Sequence, residues 1–297
     1  MELNDLINGN CYHICTNGQQ APLLMKDDED YKVACIYLAL VAWKLNVDVF
    51  AYIVMSNHVH LLVACKNRQE AERFLKVYKQ KLALYFRHKY GMRKSMKGIS
   101  DCITLVDTIQ YFRNCVAYIL RNALCAKVCA RLEEYPWSSY SAYFSRVKKS
   151  NHRRLDSFVG RQRRNLIRSN DDISGCPICV CEDGRISDRS FVRFDVVEKA
   201  FNNSIRSFLY GLGTCNDAKM EYEFAFRPQI RVNDMDLLAV AEQLASSRFS
   251  GKSLADLSSS DKCKMIKYLY FNNKTSVPQL SRILGLPREI VAQVLSY

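Results

Sequence analysis

Two apolar runs, VDVFAYIVM (47–55) and HVHLLVAC (58–65), are separated only by Ser56 and Asn57. Both are rich in β-branched and aromatic residues, and the gap between them holds turn-forming residues, so the chain is predicted to double back as a hairpin. The flanking segments decide what that hairpin can belong to. DEDYKVACIYLALVAWKL (28–45) reads as a helix opened by acidic residues. In 69–90, Phe74, Tyr78, Leu82 and Tyr85 recur at helical spacing. CYHICTN (11–17) and CITLV (102–106) read as two further short strands, and a last helix runs from about Thr108 to Cys125. The order β-α-β-β-α-β, then a helix, predicts the α+β class: a ferredoxin-like antiparallel sheet with helices on one face.

The hairpin carries an anomaly. His58 and His60 stand one residue apart at the start of a strand that otherwise reads as buried. Side chains alternate along a strand, so both imidazoles share a face while Val59 and Leu61 take the other. Their bases are then roughly 7 Å apart, close enough for the rings to converge on one ion. With Val59 under the helices, the histidine face is expected to be open. In VAYILRN (116–122), Tyr118 and Asn122 are four apart and share a helix face. A metal beside them would polarise a phosphodiester, and the phenol would attack it.

AYIVMSNHVHLLV, YKQKLALYFRHKYG, VAYILRN and EEYPWSSYSAY follow one another in an order that resembles the REP-associated tyrosine transposases, insertion-sequence transposases of the HUH class with a single catalytic tyrosine. YHICTNG is similar to that family's first strand, and the resemblance spans about residues 10–145. It implies His58, His60 and Asn122 as metal ligands, Mg²⁺ or Mn²⁺ as the ion, and Tyr118 as the nucleophile. The product would be a 5′-phosphotyrosine link and a free 3′-hydroxyl on single-stranded DNA bearing hairpins or palindromic repeats. Two departures stand out: Ala123 follows the asparagine where the family usually has proline, and Lys127 stands where glycine is expected. Ala123 lets the helix continue, where proline would bend it. Asn57 is read as shaping the turn, and YPWSSY (135–140) as docking the end of the domain against its sheet.

The net charge of +13 favours a polyanionic partner, nucleic acid before a membrane surface. The cations concentrate on the second helix and its exit: Arg73, Lys76, Lys79, Lys81, Arg87, Lys89, Arg93, Lys94 and Lys97, against Glu70 and Glu72. Beside a phosphodiester site they are expected to contact phosphates. Thirteen cysteines, an odd number in apolar contexts, together with a polar and acidic N-terminus, are read as reduced thiols in a cytoplasmic protein. No apolar stretch approaches the roughly 20 residues that span a bilayer.

Beyond residue 145 the pattern changes. Residues 146–232 are read as a basic linker followed by a poorly defined region, and 233–297 as a helical domain. Cys176, Cys179 and Cys181 lie close together, with Cys215 as a fourth thiol, but the second pair a structural zinc site needs is not evident. Near the C-terminus, Lys262 to Phe271 reads as an amphipathic helix. Ser276 caps a second helix with Gln279 three residues on, Gly285 ends it, and Pro287 opens a third. That is a helix-turn-helix pattern, with Arg288 and Gln293 as contacts to duplex DNA.

The leading reading is therefore a tyrosine transposase, a metal-dependent nickase and strand transferase on single-stranded DNA, acting as monomer or homodimer and with no membrane partner. The alternative is a non-cleaving DNA-binding regulator using the same fold and the helix-turn-helix. A replication initiator of the same chemical class ranks third, because the matching segments are of transposase type.

Overall fold

The computed structural model describes residues 2–16, 24–91, 101–145, 152–217, 220, 234–249, 253–273, 275 and 277–296. The chain divides into two compact units, Met1–Phe224 and Ala225–Tyr297.

The first unit is built on a four-stranded sheet of β1 (Asn10–Thr16), β2 (Asp48–Val54), β3 (Val59–Cys65) and β4 (Asp101–Val106). The strand order is β2-β3-β1-β4, and every neighbouring pair is antiparallel. With α1 (Asp28–Leu45) and α2 (Arg68–Tyr90) as the crossovers, this is the expected ferredoxin-like plan. The helices start and stop where local chemistry requires. Asp27 and Asn67 accept the backbone N–H of Asp30 and Glu70, each at 3.0 Å. Asn46 and Gly91 end the two helices in the left-handed region, at φ 53° and 67°.

Strand register assigns the faces. Cys15 pairs with His60 and His13 with Leu62, so these four side chains share one face. Tyr52 pairs with Leu61 on the other. Cys35 of α1 bonds Tyr52 there, and Tyr85 of α2 donates to Asp30 of α1 at 2.8 Å, which places both crossover helices on the Tyr52 face. The histidine face is not open, as the hairpin pattern had suggested. It is covered by α3 (Ile109–Cys125), whose Tyr118 ring meets His60 and whose Phe112 ring meets Phe50. Fully apolar neighbours on both sides of β3 required such a cover: all its residues are buried.

β2 is an edge strand, and the following chain seals it. Val54 donates to the Trp137 carbonyl (2.9 Å), Tyr52 N–H to Ser139 Oγ (3.0 Å), and Tyr143 hydroxyl to the Phe50 carbonyl (2.5 Å). Trp137 is buried and stacks on Tyr31 at 5.1 Å, so YPWSSY docks against the sheet as its apolar content suggested. Further along β2, Arg193 N–H donates to the Val49 carbonyl at 2.8 Å.

That last bond corrects the reading of 146–232 as a linker. Where described, this stretch belongs to the first unit. Leu155, Ile167, Ile178, Val197 and Phe208 join the sheet's own core. Ion pairs Arg193–Asp48 (2.8 Å), Asp171–Lys44 (2.7 Å) and Arg121–Asp217 (2.8 Å) tie it to β2, α1 and α3. Its helices are short: α4 (Gly160–Ile167), α5 (Phe194–Ala200) and α6 (Ile205–Thr214). Short elements with dense surface arginine carry little periodic signal, which is why the sequence looked like a solvated connector.

The second unit contains α7 (Asp234–Arg248), α8 (Ser259–Asn273), α9 (Val277–Leu284) and α10 (Arg288–Ser296) around Leu237, Leu244, Ile266, Leu269, Leu280, Leu284 and Val291. Gly285, at φ 64°, turns the chain between α9 and α10, and Ser281 Oγ donates to the Leu286 carbonyl at 2.6 Å. Ser276, the expected cap of α9, lies outside the described residues. Among the described residues no helix is long and apolar enough to cross a membrane.

Candidate active site

The end of β1 and the β2–β3 turn hold the first histidine. Thr16 Oγ1 accepts the N–H of Val59 at 3.0 Å, and Met55 N–H donates to the His58 carbonyl at 2.8 Å. With the backbone fixed on both sides, His58 places Nδ1 2.8 Å from Asn57 Oδ1. An amide oxygen only accepts, so the His58 proton resides on Nδ1 and the lone pair on Nε2. Asn57 thus shapes the turn, as expected, and also orients a ring.

His60 is buried one pleat further along. Its ring lies 5.1 Å from that of His58 and 5.4 Å from that of Tyr118, edge-on in both cases. Asn122, one turn beyond Tyr118, donates Nδ2 to the Tyr118 carbonyl at 2.9 Å, which leaves its amide oxygen as the atom able to ligate. Asn122 also lies within hydrogen-bonding reach of His58. Four residues that the sequence singled out, in two stretches more than 50 positions apart, therefore meet in one cluster.

Burial sets the charge state. Desolvation lowers the pKa of His58, with the Asn122 amide raising it in part, and lowers that of His60 well below the ordinary imidazole value, with His13 and His58 adding to the effect. Both rings are neutral at physiological pH, the form in which imidazole ligates a metal. Two neutral imidazoles and an amide oxygen fit a divalent ion of intermediate hardness. They suit Mn²⁺ at least as well as Mg²⁺, which prefers an all-oxygen shell. Among the described residues, no group of three or more His, Cys, Asp or Glu side chains could hold a metal ion, so a ligand set built on His58 and His60 would have to include Asn122.

The sequence did not single out His13. It comes from β1, is fully buried, and places Nε2 3.2 Å from His60 Nδ1. Its ring also meets Tyr118 edge-on at 6.0 Å. The tetrapeptide around it reads as an ordinary strand. Only the β1–β3 register, a long-range property, brings it beside His60.

The expected phosphate-binding cations fare unequally. Arg73, Lys76 and Arg87 are exposed on α2 and make no ion pair among the described residues. Lys79 is instead held by Asp101 at 2.8 Å. Lys89 is surrounded by Asp27, Glu29 and the fully buried Asp30 at 2.8 to 3.0 Å. A lysine facing three carboxylates has no charge left for a phosphate, so Lys89 is structural, while Lys79 is engaged by one aspartate. Arg93 and Lys94 lie outside the described residues. A second correction concerns place: α2 packs on the Tyr52 face, so its cations and the histidine pocket are on opposite faces of the sheet. In the second unit, Arg288 and Gln293 are exposed on α10.

Residues 11–100 match the family model described as "Transposase IS200 like". The resemblance read from the sequence is borne out over that segment, which carries His13, His58 and His60; Tyr118 and Asn122 lie beyond it. A solved structure, titled "Structure of the REP associates tyrosine transposase bound to a REP hairpin", is similar over 47% of this chain and 82% of its own. The identity is 16% and the TM-score 0.38. Among curated proteins nothing matches the chain.

Proposed function

We propose that the first unit is a metal-dependent, single-strand DNA nickase and strand transferase with Tyr118 as its nucleophile. The observation that carries this reading is the meeting of Tyr118 with His58, His60 and Asn122 in one cluster of a transposase-like domain. His58, His60 and Asn122 would hold a Mg²⁺ or Mn²⁺ ion, which polarises the scissile phosphodiester when bound. Tyr118, carried on α3 with its ring edge-on to His60 and His13, would be the attacking group. The phenol gives up its proton to water, its oxygen bonds to phosphorus, and the bond from phosphorus to the 3′ oxygen breaks. The 3′ oxygen takes up a proton, leaving a 5′-phosphotyrosine whose energy is conserved for rejoining strands. His58, only half-buried, marks the solvent side of the pocket.

Arg73, Lys76 and Arg87 supply sequence-independent phosphate contacts on the opposite face, and α9 with α10 contacts duplex DNA through Arg288 and Gln293. The substrate class is DNA with hairpins or palindromic repeats, as the sequence resemblance implies. Incubation of the full chain with a hairpin-bearing oligonucleotide and Mn²⁺ or Mg²⁺ is expected to give a covalent adduct stable to denaturing electrophoresis. Tyr118→Phe is expected to lose the adduct and keep binding. If wild type and variant bind alike and neither cuts any of a broad set of hairpins, the chain is a non-cleaving DNA binder.

A further inference from the structure

The two ligand imidazoles are held in different ways. His58 leans on an amide oxygen, which settles where its proton lies. His60 leans on another imidazole, His13, and chemistry alone allows either ring to donate. The direction matters because only one of the two arrangements leaves Nε2 of His60 with a lone pair.

The geometry of the contact is that of a true in-plane hydrogen bond. The two ring planes are within 7° of parallel, the centres 5.4 Å apart and the nitrogens 3.2 Å apart. Subtracting the second distance from the first leaves about 1.1 Å on each side, one imidazole radius. Both nitrogens therefore lie on the line joining the ring centres, and the rings meet edge to edge in a common plane rather than face to face. His13 is fully buried, and a neutral imidazole keeps one lone pair with which to accept. Among the described residues, Nε2 of His60 makes no hydrogen bond, as a nitrogen reserved for a ligand would not.

Resting on the metal-dependent reading above, we infer that His13 is a positioning residue: its Nε2 accepts the Nδ1 proton of His60, fixing that ring's tautomer and orientation so that Nε2 faces the ion. Carboxylates and carbonyls commonly play this part behind a ligating histidine. Here a third imidazole does so from the neighbouring strand. His13 is not itself a ligand, since the nitrogen nearest the site is occupied by the His60 proton.

The test begins on the metal-free wild type, with long-range ¹H–¹⁵N correlation of the imidazole rings. His60 is expected to carry its proton on Nδ1; a proton on Nε2 would overturn the inference without touching the catalytic reading. Mn²⁺ affinity is then measured by electron paramagnetic resonance for wild type, His13→Leu and His13→Gln. His13→Leu is expected to bind about 10- to 100-fold more weakly. His13→Gln, whose amide oxygen can accept the same proton, should recover most of the loss. Equal affinity in wild type and His13→Leu would sink the role assigned to His13, and so would three ¹⁴N imidazole couplings to Mn²⁺ in the wild type, which would make it a ligand. Failure of the wild type to bind Mn²⁺ at all would instead refute the metal-dependent reading. If His13→Leu does not fold, the wild-type tautomer and couplings still decide.

Discussion

Two buried polar clusters lie back to back across the sheet, separated by the thickness of β2 and β3. On the α1 face, Asp188 accepts from Tyr52 hydroxyl and from Ser141 Oγ, both at 2.5 Å. On the α3 face, His60 touches His13 through one nitrogen and offers the other to no hydrogen bond among the described residues. Both clusters incur desolvation, and both contain a buried tyrosine. The first is saturated, so its chemistry is spent on docking the 139–190 region to the sheet. The second, on the proposed reading, keeps one nitrogen for an ion. Buried polar groups mark a site when their valence is unfilled, and mark structure when it is filled.

The contrast is open to attack in several ways. The largest effect is expected from His60→Leu, which should remove adduct formation altogether while lowering unfolding free energy by about 1 to 2 kcal/mol, because one buried nitrogen, on His13, loses its partner. Loss of stability comparable to that of a core cavity, with cleavage retained, would reverse the assignment. Asp188→Ala should do the opposite: about 3 kcal/mol of destabilisation in urea unfolding, from two buried hydroxyls left without an acceptor, with the site chemistry intact in the folded fraction.

Acid-base behaviour sharpens the same distinction. Burial raises the Asp188 pKa from 3.8 to about 6, against the opposing pull of its two hydroxyl donors. The folded chain therefore holds this proton more tightly than the unfolded chain. The stability it contributes is present below the ordinary carboxyl pKa and is lost as pH rises through about 6. Asp188→Asn removes this dependence, so the stability difference should move by about 2 kcal/mol in favour of the variant between about pH 4 and about pH 7. A difference that stays flat with pH would mean that the carboxyl does not titrate in the folded state.

The smallest expected effects lie on α2, where the two kinds of cation can be told apart. Arg73→Gln, Lys76→Gln and Arg87→Gln should each lower the slope of log affinity against log salt by about 0.7 for single-stranded DNA if one phosphate contact is lost. Lys79→Ala should leave that slope unchanged and cost less than about 1 kcal/mol of stability through its exposed-side ion pair. Equal slopes in both sets would show that the outward side of α2 does not touch DNA.

Much of this was legible in the residues. The hairpin at Ser56-Asn57, both crossover helices and α3 fall within a residue or two of where periodicity and turn chemistry put them, since 3.6- and 2-residue repeats are local signals. His58 was paired with His60, and Tyr118 with Asn122, because strand alternation and helical i, i+4 spacing say which side chains share a face, and the family resemblance joined the two pairs. His13 was not, because a single histidine in a strand has no pattern of its own. Lys89 was misjudged for a similar reason: Asp27, Glu29 and Asp30 are some 60 positions away, and a charge run shows nothing of what folds back onto it.

The amino-acid order by itself thus determined the elements from β1 to α3, their sequence along the chain and the chemical types available to the site. Tertiary structure alone decided which face α3 covers, which cations remain free and which third imidazole backs His60. Those depend on strand register and on chain segments that meet across long loops, and such contacts have no signature in any local window.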